Sequence, residues 1–211
     1  MPRPDIIRRP RVCIVCEGYE EEAYIKALIA KEVWPHYRFR IVNAKGSGNV
    51  TACFQNEVSA DSCEVVLLFC DTDKRPFDEY LAIKRRLHAI LGPKANLETL
   101  LIYANPCSMQ IILLHFGDRA VSLHTQSKRV NTEIIEKLTG IASYKAEQKG
   151  QIDAICSRIT RANYLIMKAR AAAINHPDDV PGSSNFRRFI DNFEGTSEEW
   201  LKNANKTTLG N

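Results

Sequence analysis

Two strand-like segments, Arg11–Cys16 and Glu64–Cys70, run out directly into acid: Glu17 follows the first and Asp71 the second. A carboxylate at the exit of a buried strand is costly unless it is paired, bound to a cation or chemically used. More acids crowd the same two places, with Glu21 and Glu22 after the first strand and Asp73 after the second. The fold must therefore bring charge to the rim of a sheet, and two such clusters at one edge suit a cation and phosphate chemistry.

The alternation around these strands sets the fold class. Further strands are expected at Arg38–Val42 and Thr99–Tyr103. Glu64–Cys70 and Thr99–Tyr103 are continuous apolar runs, as in strands covered on both faces. Helices are expected between the strands. Glu20–Lys31 carries a stripe of Tyr24, Ile25, Leu28 and Ile29, Val50–Val58 is short, and Pro76–Leu91 stops at Gly92-Pro93. This order predicts an α/β fold, a mostly parallel four-stranded sheet flanked by helices with right-handed crossovers. Beyond Asn105-Pro106 the pattern becomes helical, at Met109–Phe116, Thr132–Leu138, one long Gln151–Ala173 helix and Asn185–Phe193. The expected organisation is an α/β core over 11–125, a helical extension packed on it over 126–194, and a polar tail over 195–211.

The length of 211 residues, with 45% hydrophobic and 26% charged residues, suits one such core with a helical annex. A formal net charge of +4 does not by itself mark a nucleic-acid binder. No apolar run is long enough to span a bilayer, and Met1-Pro-Arg-Pro-Asp5 does not open like a signal peptide, so a cytoplasmic protein without membrane contact is expected. Cys13 and Cys16 form a C-x-x-C, but positions three apart in a strand face opposite ways, so the seven cysteines are expected to be free thiols. His36, His88, His124 and His176 make no zinc-binding spacing.

In open α/β sheets ligands bind beyond the carboxyl ends of the strands, where Glu17 and Asp71 fall. In extended geometry Asp73 points the same way as Asp71, with Thr72 facing away, and Glu21 sits in the first turn of the next helix. Such hard oxygen ligands suit Mg²⁺ or Mn²⁺. Acids at a helix start also simply favour its dipole, by about 0.3–1 kcal/mol, and Glu20, Glu21 and Glu22 fit that reading too.

Three ordered segments, Glu17-Gly-Tyr-Glu-Glu21-Glu-Ala-Tyr24, Asp71-Thr-Asp73 and Asn105-Pro-Cys through Leu113-Leu-His-Phe116, resemble RloB-like proteins. Those proteins belong to the TOPRIM group with OLD-family nucleases. The resemblance covers about Arg11 to Asp191 and departs from the pattern in three places. Glu20 replaces a Thr, Ile111 an aromatic, and Pro181–Phe186 lacks the usual Thr and Val. It implies a TOPRIM-like fold, a Mg²⁺-dependent nuclease acting on DNA or RNA, and a role in anti-phage defence through abortive infection. By the same resemblance Glu17 is a general acid/base or metal-positioning residue, Asp71 and Asp73 are the principal metal ligands, and Glu21 is an additional acid. Lys145, in a Tyr144-Lys145 segment, is either a phosphate-stabilising catalytic lysine or a solvated loop charge.

The remaining substrate-binding candidates each have a plain alternative. Gly46-Ser47-Gly48 is either a phosphate-approaching turn or a tight strand-to-helix turn capped by Ser47 or Asn49. His115, with Asn105, is either site-lining or a core histidine. Arg158 and Arg161, with Lys168, are expected on one face of the long helix opposite Ile152, Ile155, Ile159 and Ile166, available to phosphates or simply solvated. Lys84–Arg86 and Arg8, Arg9 and Arg11 form two further basic clusters.

Three functions stay open on the sequence. One is a nuclease, another a non-nucleolytic TOPRIM enzyme acting on nucleotides, and the third a subunit binding nucleic acid or a partner. The chain has no ATPase motif, so an ATP-driven regulator or sensor would be a partner protein. A homo-oligomer is compatible with all three.

Overall fold

The computed structural model describes residues 9–73, 76–118 and 128–209; Arg8, His124 and the expected boundary at 125/126 lie outside them. The strands are β1 (Arg11–Cys16), β2 (Arg38–Asn43), β3 (Val65–Asp71) and β4 (Leu101–Ala104). The helices are α1 (Tyr19–Ala30), α2 (Ser47–Ser59), α3 (Asp78–Leu91), α4 (Met109–Leu113), α5 (Lys128–Thr139), α6 (Lys149–Ser157), α7 (Arg161–Ala171), α8 (Phe186–Glu194) and α9 (Glu199–Leu209).

The strands form one all-parallel sheet in the order β2-β1-β3-β4. The aliphatic sequences of β1 and β3 suit the centre, where almost every side chain is buried. They pair with Cys16 opposite Phe69, which brings the exits of both strands level. The chain leaves β1 toward β2 and leaves β3 in the other direction toward β4. Right-handed crossovers then place α1 on one face and α2 and α3 on the other. The packing agrees, with α2 against α3 and α1 against α6. The gap between the exits of β1 and β3 is thus the switch point at which open α/β sheets take ligands.

β4 is an edge strand, and the segment before α8 covers it. Ala104 bridges Ser184 antiparallel, Asn105 N–H donates to Ser183 O at 2.9 Å, and Asn185 Nδ2 donates to Leu101 O at 2.8 Å. Backbone groups that would otherwise template pairing with another chain are used up.

Several elements differ from expectation. The long helix breaks at Arg158–Thr160, because Thr160 and Asn163 form a capping box that starts α7 afresh. The break shifts the phase of the apolar stripe, so Ile166 is 47% exposed and Met167 takes the core position. β4 starts later than expected because Leu97–Thr99 closes a 3-10 turn, with Asn96 Oδ1 accepting from Glu98 N. The polar tail is largely helical: α9 buries Leu201 and Ala204 and joins Trp200 Nε1 to Tyr37 OH at 2.9 Å. All seven cysteines are free thiols, and Cys13 lies 3.8 Å from Glu57 of α2. Among the described residues no helix is long and apolar enough to cross a membrane.

Candidate functional site

At the switch point β1 delivers Glu17 and β3 delivers Asp71, and the two chain exits are tied together. Glu17 N–H donates to Phe69 O at 2.9 Å, and Asp71 N–H donates to Glu17 Oε2 at 3.3 Å. After Asp71 the chain does not stay extended. Thr72 is fully buried, while Asp73 takes a left-handed φ of 56°, a conformation aspartate tolerates better than most residues. The turn separates the two aspartates that an extended D-x-D would align. Asp73 swings to the mouth of the site, where its carboxylate meets Glu17 and Glu79; ligand oxygens of these three lie within 4.8 Å of one another.

Asp71 stays inside. Its Oδ1 accepts from Ser108 N–H at 2.8 Å, at the start of α4. Ser108 Oγ lies 2.7 Å from Glu20 Oε1 and 2.5 Å from Glu21 Oε1. A hydroxyl has one proton to give, so the second of these contacts needs a proton on a carboxyl. Glu21 Oε2 also accepts from Gly18 N–H at 2.8 Å, which caps α1, and Glu20 Oε2 accepts from Tyr144 OH at 2.6 Å. Glu21 is therefore both a helix cap and a buried acid.

Electrostatics follow from this crowding. Burial, then the charges of Glu21 and Asp73, push the Glu17 carboxyl up to about 8. Burial and Glu21 push Glu20 up to about 7 despite its hydrogen bonds. Burial raises Glu21, and burial with the charges of Glu21, Glu20, Glu17 and Asp73 raises Asp71 well above the usual carboxylate range. Glu22 differs: against the burial that would raise it, hydrogen bonds from Lys26 and Asn43 hold it below the usual range. The group as a whole carries more negative charge than its surroundings balance.

The acids open into a cavity of about 410 Å³ whose lining includes Glu17, Glu20, Glu21, Asp71 and Asp73. Gly46 and Lys145 line it too. Gly46 N–H is used on Glu17 O at 2.8 Å, so the glycine turn serves to start α2 beside the site. Ser47 donates to the Glu79 carboxylate, while Gly48 is exposed. α2 carries no side-chain cap, neither Ser47 nor Asn49. Lys145 is held by its backbone N–H on Gln151 Oε1 at 2.7 Å.

Like Ser47 and Gly48, the candidates Asn105, His115, Arg158 and Arg161 do not line the cavity. Asn105 is buried and donates from Nδ2 to Asp178 O at 2.8 Å, fastening the segment over β4. His115 is a core residue between Tyr24 OH at 3.0 Å and Asn163 Oδ1 at 3.2 Å, and burial lowers it to about 4. Arg161 ties α7 to the end of α1 through Lys31 O at 2.8 Å, and Arg158 lies against Gly140. The break before α7 removes the single basic face expected there, and Lys168 bonds Glu194. Of the other basic clusters, Lys84 bonds Asp178 at 2.6 Å.

Glu79 and Ser108 escaped the sequence reading. Glu79 had a signal, since it stands in the first turn of the helix after β3 as Glu21 does after β1. Ser108 had none apart from following Asn105-Pro-Cys. Comparison with protein-family models, curated proteins and solved structures finds no match to this chain.

Proposed function

We propose that the protein hydrolyses nucleic-acid phosphodiesters with Mg²⁺ or Mn²⁺ held at the mouth of this cavity. The observation that carries the reading is the meeting of Glu17, Asp73 and Glu79 within 4.8 Å beside the exits of β1 and β3. An all-carboxylate donor set suits a hard divalent cation, and the raised proton affinities of Glu17 and Asp71 mark a place short of positive charge. Glu17, Asp73 and Glu79 would hold the ion, with Asp71 and Glu21 fixed behind them by Ser108 and Gly18. An ion so held supplies Lewis acidity and a more acidic bound water.

The chain's own groups supply the rest. Glu17, cast by the resemblance as a general acid/base or a metal-positioning residue, would serve here in the second role, its carboxylate kept unprotonated by the ion. Lys145, at the cavity lining, sets positive charge against the phosphate. The resemblance to RloB-like proteins supports a nucleic acid as substrate. It also supports a role in defence against phage, under the control of an ATPase or sensor partner.

The test is incubation of purified protein with plasmid, single-stranded DNA and tRNA in Mg²⁺, Mn²⁺ or chelator. Cleavage is expected only with metal. Asp73→Asn and Glu79→Gln should each lose about a hundredfold or more, at least what loss of an outer-shell partner costs a metal site. Equal cleavage by wild type and both variants would mark a contaminant and remove the reading.

A further inference from the structure

Behind the proposed metal ligands the cavity changes character. Cys107 and Met109 from the start of α4, Ile135 from α5 and the ring of Tyr144 give it an apolar wall. Asn131 and Thr132 of α5 add a few polar atoms, and Asn131 and Ile135 are themselves buried. Neither a metal ion nor a phosphate has any use for such a wall. Its volume of about 410 Å³ falls in the range of pockets that enclose a small organic group. Tyr19 also lines the cavity, with its OH held by Asp153 at 2.8 Å and Lys149 Nζ 4.7 Å from the ring centroid. The ring is thus fixed in place, with the ammonium lying over one of its faces.

We propose that this cavity takes one unstacked nucleobase, with its attached phosphate at Glu17, Asp73 and Glu79, so that the substrate presents an unpaired nucleotide to the site. The proposal rests on the phosphodiesterase reading for the placement of the phosphate, and on the apolar wall for the base. Paired and stacked bases cannot enter a pocket of this size, whereas a single-stranded or extruded one can.

The test compares deoxyadenosine 5′-phosphate with deoxyribose 5-phosphate by calorimetric titration in Mg²⁺. The base should add about tenfold or more in affinity. Thr132→Trp, which fills the cavity from a half-buried position on α5, should abolish that difference while leaving deoxyribose 5-phosphate binding and the melting temperature intact. Ala146→Trp fills the same cavity from an exposed position and replaces it should Thr132→Trp fail to fold. Equal affinity of the two ligands for the wild type overturns the proposal, whatever is found for cleavage. A base preference without cleavage of any nucleic acid upholds the cavity and removes the hydrolase. Cleavage with no base preference, as fast on a duplex as on its single strand, does the reverse.

Discussion

Around the start of β2, Trp34, Tyr37, Phe39, Phe193 and Trp200 pack ring against ring, whereas at the exits of β1 and β3 Glu17, Glu20, Glu21, Asp71 and Asp73 crowd about one cavity. Polar groups at the first place are satisfied. Trp34 Nε1 donates to Tyr164 OH at 2.9 Å, Tyr164 OH to Glu194 at 2.6 Å, and Trp200 to Tyr37. At the second, burial and like charge raise the carboxyls instead. One region stabilises the fold and the other is tolerated by it. A cluster of acids left that way is better explained by something it binds than by anything it holds together.

The contrast can be broken from either side. The largest effect on stability is expected from Trp34→Ala, which removes a buried ring and its hydrogen bond. It should cost about 3–5 kcal/mol in denaturant unfolding, and activity per folded molecule should be unchanged. Ser108→Ala comes next, because it takes away the hydroxyl between Glu20 and Glu21. A loss of about 1–3 kcal/mol is expected at neutral pH, measured the same way. Arg161→Ala should change stability by less than about 0.5 kcal/mol and leave cleavage alone, since its ion pair with Glu32 is exposed on both sides. A large loss of cleavage in that variant would restore the phosphate-gripping role read from the sequence.

How much of this was legible depends on whether local pattern or the return of the chain decides a position. The α/β class and a mostly parallel sheet followed from Glu64–Cys70 and its neighbours, because buried strands must be apolar throughout, while the strand order β2-β1-β3-β4 did not. Glu17 and Asp71 were visible because each ends such a run. The grouping of Asp73 with Glu79 was not, because it depends on a left-handed turn at Asp73 that no alternation pattern encodes. Ser108 reaches the acids only through the course of the chain after β4. The start of α7 at Thr160 was readable as a capping box with Asn163, but the apolar stripe running through it suggested one helix. α9 was hidden by its polar composition, although Trp200, Leu201 and Ala204 keep a helical spacing.

Two titrations of opposite sign shape the pH dependence. His115 is lowered to about 4 in the fold, so the unfolded chain takes up its proton first, and stability falls as pH drops from about 6.5 toward 4. Glu17 and Glu20 are raised to about 8 and about 7, so the fold keeps protons that the unfolded chain has shed from about 4.5 upward. Their contribution is full at low pH and is lost as pH rises through those values. At about pH 6.5 His115 still adds about half its slope and by about pH 7.5 almost none, so the opposite fall driven by the two acids is the larger throughout and stands alone at the upper end.

The most direct measurement is therefore the melting temperature of the metal-free protein from about pH 6.5 to 8, repeated with Mg²⁺. A fall with rising pH that Mg²⁺ reverses in the wild type but not in Asp73→Asn is the expected result. A melting temperature indifferent to Mg²⁺ at both ends of that range would contradict a cation site at Glu17, Asp73 and Glu79.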